Sequence, residues 1–305
     1  MAAGGATTGR STVAATGEQS NGELTTIGVA GAGFMGSGIA ESAASAGLYV
    51  IAYEPQQAAL DRSRAAIATS TARAAERGKL SAEDRDALVD RISYTDDLER
   101  VAQADLVVEA IVEDVEVKSD LFRRLDAIAP EATLLASNTS SIPIAQLAAA
   151  TERPDRVVGL HFFSPVPVMP LVEIVRALDS SDPTIASADW FVAKIGKTPI
   201  HTKDRSGFIV NMLLVPYLMA AVRMYEEGFA DAEAIDEGMR LGCGHPMGPL
   251  TLCDFIGLDV LYSVCDSLYE EFKQPAYAPP PLMKRMVVSG RLGRKAGRGF
   301  YDYSR

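Results

Sequence analysis

The chain has 305 residues, 48% of them hydrophobic, and a formal net charge of −11. That size and composition suit a folded protein with a large core, as one large or two ordinary domains, and exclude a disordered chain. The acidic balance argues against broad binding to nucleic acid or to an anionic membrane, while leaving room for a local basic patch that holds a phosphate.

Residues 1 to 23 are rich in Ala, Gly, Thr and Ser and lack the apolar core of a secretory signal, so a disordered tail is expected there. From Thr25 a short β-branched segment runs into Gly31-Ala32-Gly33-Phe34-Met35-Gly36, a G-x-G-x-x-G turn that opens a small-residue helix. Glycine lets a backbone turn tightly, approach a pyrophosphate and pack helix on strand, and the helix start points free N–H groups and a positive dipole end at the phosphates. Tyr49 to Glu54 reads as the next strand, and Glu54 follows Gly31 by 23 positions, near the place of an acid that binds an adenosine ribose. Such an acid repels a ribose 2′-phosphate, which favours NAD over NADP. A structural turn with a surface acid is the plainer alternative.

A helix over about 56–78 carries several arginines, and Ser81 followed by Glu83 and Asp84 marks an N-cap and the next helix. Strands are expected at Ile92–Thr95, Asp105–Ile111 and Ala132–Ser137, with helices from about Val115 to Ile128 and from Pro143. This alternation means a parallel sheet covered on both faces. Then the pattern changes: Arg156–Phe163 and Leu171–Val175 are two strands with no helix between them. A helix over about Pro183–Ile195 and a strand at Thr198–Thr202 follow. From Phe208 the periodicity is helical, and the apolar run Phe208–Val222 is shorter than a membrane span and reads as a buried helix. The fold class is therefore α/β, a Rossmann-like domain over 24–205 followed by an all-helical domain over 206–305. The cysteines Cys243, Cys253 and Cys265 form no C-x-x-C pair and are odd in number, which reads as reduced thiols in a cytoplasmic chain.

Only three histidines are available as a general base of near-neutral pKa: His161, His201 and His245. His161 ends an apolar strand, where ligands of open α/β sheets bind. Glu173 sits in the next apolar strand, where an unpaired charge is costly, so it needs a partner. If the chain folds back around Pro167, the two face one another and the carboxylate orients the imidazole. A purely structural pair is the alternative. His201 and His245 read as surface or packing residues. Hydroxyls of Ser137-Asn138-Thr139-Ser140-Ser141, at another strand end, either hold a substrate oxygen or cap the next helix. Asn211 interrupts an apolar run and must face a site or a buried backbone group.

The segments GAGFMGSGIA, VVEAIVED, SNTSS, HFFSPVPVMPLVEIV, GFIVNMLLVPYL, HPMGPLTLCDFIGLD and GRKAGRGFY stand in the order seen in the L-3-hydroxyacyl-CoA dehydrogenase family, and the chain resembles it over about 24–305. The length is similar to the single-function bacterial 3-hydroxybutyryl-CoA dehydrogenases. The resemblance implies His161 as catalytic base, Glu173 as its partner, and Ser140 and Asn211 at the substrate oxygen. It implies NAD contacts at the Gly31–Gly36 turn (Phe34 and Met35 included), Glu54, Glu113, Lys118, Asn138 and Lys295. Coenzyme A contacts fall at Ser70, Ser140 and Arg77 or Lys79, although a solvated helix face explains the basic residues equally. The resemblance further implies a homodimer through the helical domain, with apolar helices such as Val260–Leu268 as candidates, and an acyl-CoA substrate; no metal is expected. Two departures stand out. Ser164 replaces the family's common asparagine, and Arg205-Ser206-Gly207 replaces Thr-Pro-Gly. A 6-phosphogluconate-type dehydrogenase shares the glycine opening but would need a lysine where this chain has Asn211, and a non-catalytic crystallin-like relative would not need the Ser140, His161, Glu173 and Asn211 set.

Overall fold

The computed structural model describes residues 24–304, so the tail expected over 1–23 lies outside the described residues. One sheet contains β1 (Thr26–Ala30), β2 (Tyr49–Tyr53), β3 (Ile92–Thr95), β4 (Leu106–Glu109), β5 (Leu134–Ser137), β6 (Val157–Phe162), β7 (Leu171–Arg176) and β8 (Thr198–Lys203), in the spatial order β3-β2-β1-β4-β5-β6-β7-β8. Strands β1 to β6 are parallel. The chain then reverses, so β7 is antiparallel to β6 and parallel to β8. The first six strands follow the doubly wound order, whose crevice opens beyond the carboxyl ends of β1 and β4.

Helices α1 (Phe34–Ser45), α2 (Gln57–Glu76), α3 (Ala82–Asp90), α4 (Leu98–Ala102), α5 (Val115–Ile128), α6 (Ile144–Ala148) and α7 (Asp182–Lys194) cover the sheet. Polar caps start several of them: Ser81 accepts from the Asp84 N–H, Asp97 from Glu99, and Asp114 from Glu116 and Val117. The five-residue α4 has no counterpart in the sequence reading, because one turn is too short to show a helical period. It reaches the sheet because Gly28 has no Cβ: one there would lie 2.7 Å from Val101. Alternating strand residues build a core on each face, with Ile27, Val29, Val108 and Leu160 on one side and Val107, Leu135, Val157 and Val175 on the other.

After β8 the chain is helical, through α8 (Val210–Glu226), α9 (Ala232–Cys243), α10 (Pro249–Ile256), α11 (Leu258–Phe272) and α12 (Pro281–Val288). These surround a separate core of Val215, Leu218, Leu250, Leu258, Leu268 and Met283. Two expectations need correction. The run Phe208–Val222 is amphipathic rather than buried all round, since Leu213 is 72% exposed. Helix α11 directs Leu261, Cys265 and Leu268 into its own core, leaving Val260 half exposed, so the exposed apolar side chains of this region lie mainly elsewhere, at Leu213, Phe229, Leu241 and Val288. Cys253 and Cys265 are buried and free, whereas Cys243 is free and exposed. Among the described residues no helix is long and apolar enough to cross a membrane.

Candidate active site

The glycine turn leaves β1 at its carboxyl end. Gly31 has φ +106°, and a Cβ there would lie 2.6 Å from the Ala110 carbonyl oxygen; at Gly36 it would lie 1.8 Å from the Gly31 carbonyl oxygen. Neither position accepts a side chain. Above Gly33 the space is open, with nothing within 4 Å of an added Cβ. Helix α1 starts at Phe34 with no side-chain cap. A free helix N-terminus above a side-chain-free turn is a cradle that fits a pyrophosphate. Glu54, just past β2, accepts at 3.4 Å from the Ala32 N–H, which brings its carboxylate to the same turn. The turn and acid thus suit NAD.

Beside this turn, at the carboxyl ends of β4 and β5, lies a buried polar network. Lys118 of α5 is 1% exposed and bridges Glu109 at 2.7 Å and Glu113 at 3.0 Å. Glu109 also accepts from the Ser137 hydroxyl and the Ile111 N–H. Burial pushes the Glu109 carboxyl up, with Lys118, Ser137 and Ile111 opposing. Burial acts upward on Glu113 too, but there the Lys118 charge and the bonds from Thr139, Lys118 and Ser141 prevail and hold it below the usual range. Glu113 accepts from the Thr139 and Ser141 hydroxyls and from the Ser140 and Ser141 N–H groups, so it grips the loop after β5. Asn138 accepts from the Phe162 N–H at 2.9 Å and ties that loop to the end of β6. Within this loop Thr139 also accepts from the Ile142 N–H. Among the described residues, the Ser140 hydroxyl has no protein partner.

His161, on β6, faces Glu173, on β7, in antiparallel register. The reversal is centred on Pro167, as the spacing predicted. His161 Nδ1 lies 2.7 Å from Glu173 Oε2, and the pair is buried. A carboxylate accepts only, so Nδ1–H donates to it, and in the neutral ring Nε2 then presents a lone pair. The Phe163 and Phe208 rings lie against the imidazole at centroid distances of 4.5 and 5.3 Å. The second Glu173 oxygen accepts from the Ile209 and Val210 N–H groups at 2.9 and 3.0 Å, at the start of α8. One carboxylate thereby holds the imidazole and the helix whose first turn carries the half-buried Asn211.

The other sequence-derived residues have partners outside this network or are exposed. Ser70 on α2 donates to Glu41 of α1 at 2.8 Å, while Arg77 and Lys79 are exposed just past α2. Lys295, expected at the cofactor, pairs with Asp259 at 2.6 Å in the helical region and stands outside the Glu109–Lys118–Glu113 group. His201 is surface-exposed against Asp189, and His245 bonds Tyr217 at 3.1 Å. Glu109 was missed by the sequence reading, although the argument that singled out Glu173, a carboxylate in an apolar strand, applies to it equally.

A glycine turn and an acid that suit NAD, with a buried His–Glu pair at the carboxyl end of β6 in the same sheet, fit a nicotinamide-dependent dehydrogenase. Comparison with known proteins narrows this. Residues 26–205 match the family model "3-hydroxyacyl-CoA dehydrogenase, NAD binding domain", and residues 207–303 match "3-hydroxyacyl-CoA dehydrogenase, C-terminal domain". The chain belongs to the 3-hydroxyacyl-CoA dehydrogenase family, NAD-dependent oxidoreductases of 3-hydroxyacyl-CoA. It is 51% identical to a 3-hydroxybutyryl-CoA dehydrogenase of Mycobacterium tuberculosis over 280 residues, 91% of this chain and 98% of the relative. The crystal structure of M. tuberculosis FadB2 superposes with a TM-score of 0.90 at 50% identity, covering 92% of this chain and 99% of that one. That of (S)-3-hydroxybutyryl-CoA dehydrogenase PaaH1 from Ralstonia eutropha superposes at 0.86 with 44% identity, covering 92% and 100%.

Proposed function

We propose that this chain interconverts a short-chain (3S)-3-hydroxyacyl-CoA and the 3-oxoacyl-CoA, with residues 24–205 holding the cofactor and 206–305 closing the substrate side. The His161–Glu173 pair, with the imidazole Nε2 left free, carries this reading. When bound, NAD supplies the hydride acceptor; the Gly31–Gly36 turn would hold its pyrophosphate and Glu54 its adenosine ribose. His161 Nε2 takes the proton of the C3 hydroxyl. The charge gained by the ring is offset by Glu173, which stays on Nδ1. The Ser140 hydroxyl and the Asn211 amide donate to the reacting oxygen, where negative charge develops in the reverse direction. Glu113, Lys118 and Asn138 hold the Ser140 loop beside the cofactor. Exposed Arg77 and Lys79, with Ser70, suit a coenzyme A phosphate. The short chain follows the naming of the bacterial relatives. We infer in the same way a homodimer of the helical regions in the cytoplasm, supported by the exposed Leu213, Phe229, Leu241 and Val288, and checked by a light-scattering mass.

Following NADH absorbance across 3-oxoacyl-CoA lengths tests the reading. The four-carbon substrate is expected to give the highest kcat/KM, and NADPH to serve poorly. His161→Ala is expected to lower kcat by about 10²–10⁴-fold while NADH binding is kept. Near wild-type turnover in that variant, or no oxidation of NADH by the wild type, refutes the assignment.

A further inference from the structure

The loop Ser164–Pro170 joins the strands of His161 and Glu173, and an unexpected residue pins it. Lys197 lies between α7 and β8 and is 8% exposed. Its ammonium donates to the carbonyl oxygens of Val166 at 2.5 Å and Met169 at 2.8 Å. No backbone N–H among the described residues reaches either carbonyl, and no carboxylate pairs with the lysine. Burying an ammonium without a counter-charge is costly, and burial alone lowers the proton affinity of Lys197.

The opposite wall of the loop is equally specific. Val166 is buried against α1, where a Cβ on Gly38 would lie 2.8 Å from the Val166 Cβ and 3.3 Å from Pro167 Cδ. The next residue along, Thr198, donates its N–H to the Pro170 carbonyl at 2.7 Å. The loop is thus seated on the dinucleotide helix on one side and held by Lys197 on the other. It begins directly after Phe163, whose ring packs on the His161 imidazole. We propose that Lys197 is a positioning residue for the base: by clamping the Val166 and Met169 carbonyls against the seat at Gly38 it fixes Phe163, and through Phe163 the orientation of His161. The kinetic side of this inference rests on the function proposed above; the structural side does not.

The experiment is Lys197→Met, which keeps a flexible apolar stem and removes the donors. NADH affinity is expected to stay within about twofold and the KM for acetoacetyl-CoA to move little. The kcat, normalised to titrated NADH sites, should fall about ten- to a hundredfold, as expected for a displaced catalytic group. The chain has three histidines, so isotope-labelled histidine gives three ring signals by NMR, and His161→Gln identifies that of His161. In Lys197→Met the His161 signal should shift or broaden while those of His201 and His245 stay. Unchanged kcat with an unmoved His161 signal overturns the proposal. A moved signal in a protein whose wild type never oxidises NADH supports the clamp and fails only the function. Should Lys197→Met not fold, Gly38→Ala raises the seat from the other side with a residue better suited to a helix; the same loss of kcat and moved signal are expected, and their absence refutes the clamp.

Discussion

Lys118 shows how much of the site depends on one side chain that need not touch the substrate. Its ammonium is the only cation paired with Glu109 and Glu113 among the described residues, and those carboxylates in turn hold Ser137, Thr139, Ser140 and Ser141. A buried pair adds little over an apolar substitute, but removing one partner strands the other as an uncompensated charge. Lys118→Met is therefore expected to cost about 3–5 kcal/mol in urea unfolding, the usual range for that event, and to loosen the Ser140 loop. A loss below about 1 kcal/mol, the scale of an exposed pair, would show that water already compensates the carboxylates. At this scale sequence reading succeeds where a residue's chemistry is out of place, as with Glu173, and stops where satisfaction depends on distant partners. Nothing in the sequence said that Asn138 would spend its carbonyl oxygen on the Phe162 N–H, or that Ser140 alone of its run would keep a free hydroxyl.

Helices α1 and α2 meet along a polar seam. The Ser37 and Ser63 hydroxyls lie 2.8 Å apart, and further on Ser70 donates to Glu41, which is 8% exposed. Periodicity predicted both helices but not this seam, since serine and glutamate in a helix read as a solvated face. Burial pushes the Glu41 carboxyl up, with the Ser70 bond opposing. The folded chain therefore holds this proton more tightly than the unfolded chain. The stability this gives is fully present below the ordinary glutamate range and is lost as pH rises through the folded value. Glutamine accepts the same Ser70 bond and cannot ionise. Wild type is thus expected to lose stability relative to Glu41→Gln as pH goes from about 4 to about 7, in paired unfolding curves. A difference that does not change with pH would mean that Glu41 is effectively solvated.

Over the whole molecule, the sheet and the helical region are joined where β8 ends. Asp204 accepts from the Ile144 and Ala145 N–H groups and so caps α6. Two residues with positive φ, Gly207 at +82° and Phe208 at +48°, turn the chain, and Arg205 stacks on Phe272 at 4.9 Å. A Cβ on Gly207 would lie 2.8 Å from Leu268 Cδ2, so the turn also needs glycine for space. The glycine was legible in the sequence, but the left-handed Phe208 was not, because only tertiary contact holds a non-glycine residue there at a cost of about 1–2 kcal/mol. What overcomes that cost includes the two N–H groups of Ile209 and Val210 on Glu173. The junction and the base therefore share one carboxylate, while Asp204 ties the junction to the start of α6 and does not bond the base. Asp204→Ala should lose about 0.5–2 kcal/mol of stability, the range for a lost cap, and keep kcat. Glu173→Gln should lose stability by a similar or larger amount and lower kcat by at least about tenfold, because its amide can replace only one of the two acceptor oxygens. Unfolding and turnover measured on both variants decide the point: if Glu173→Gln fell in stability alone, the carboxylate would belong to the junction and His161 would hold its orientation without it.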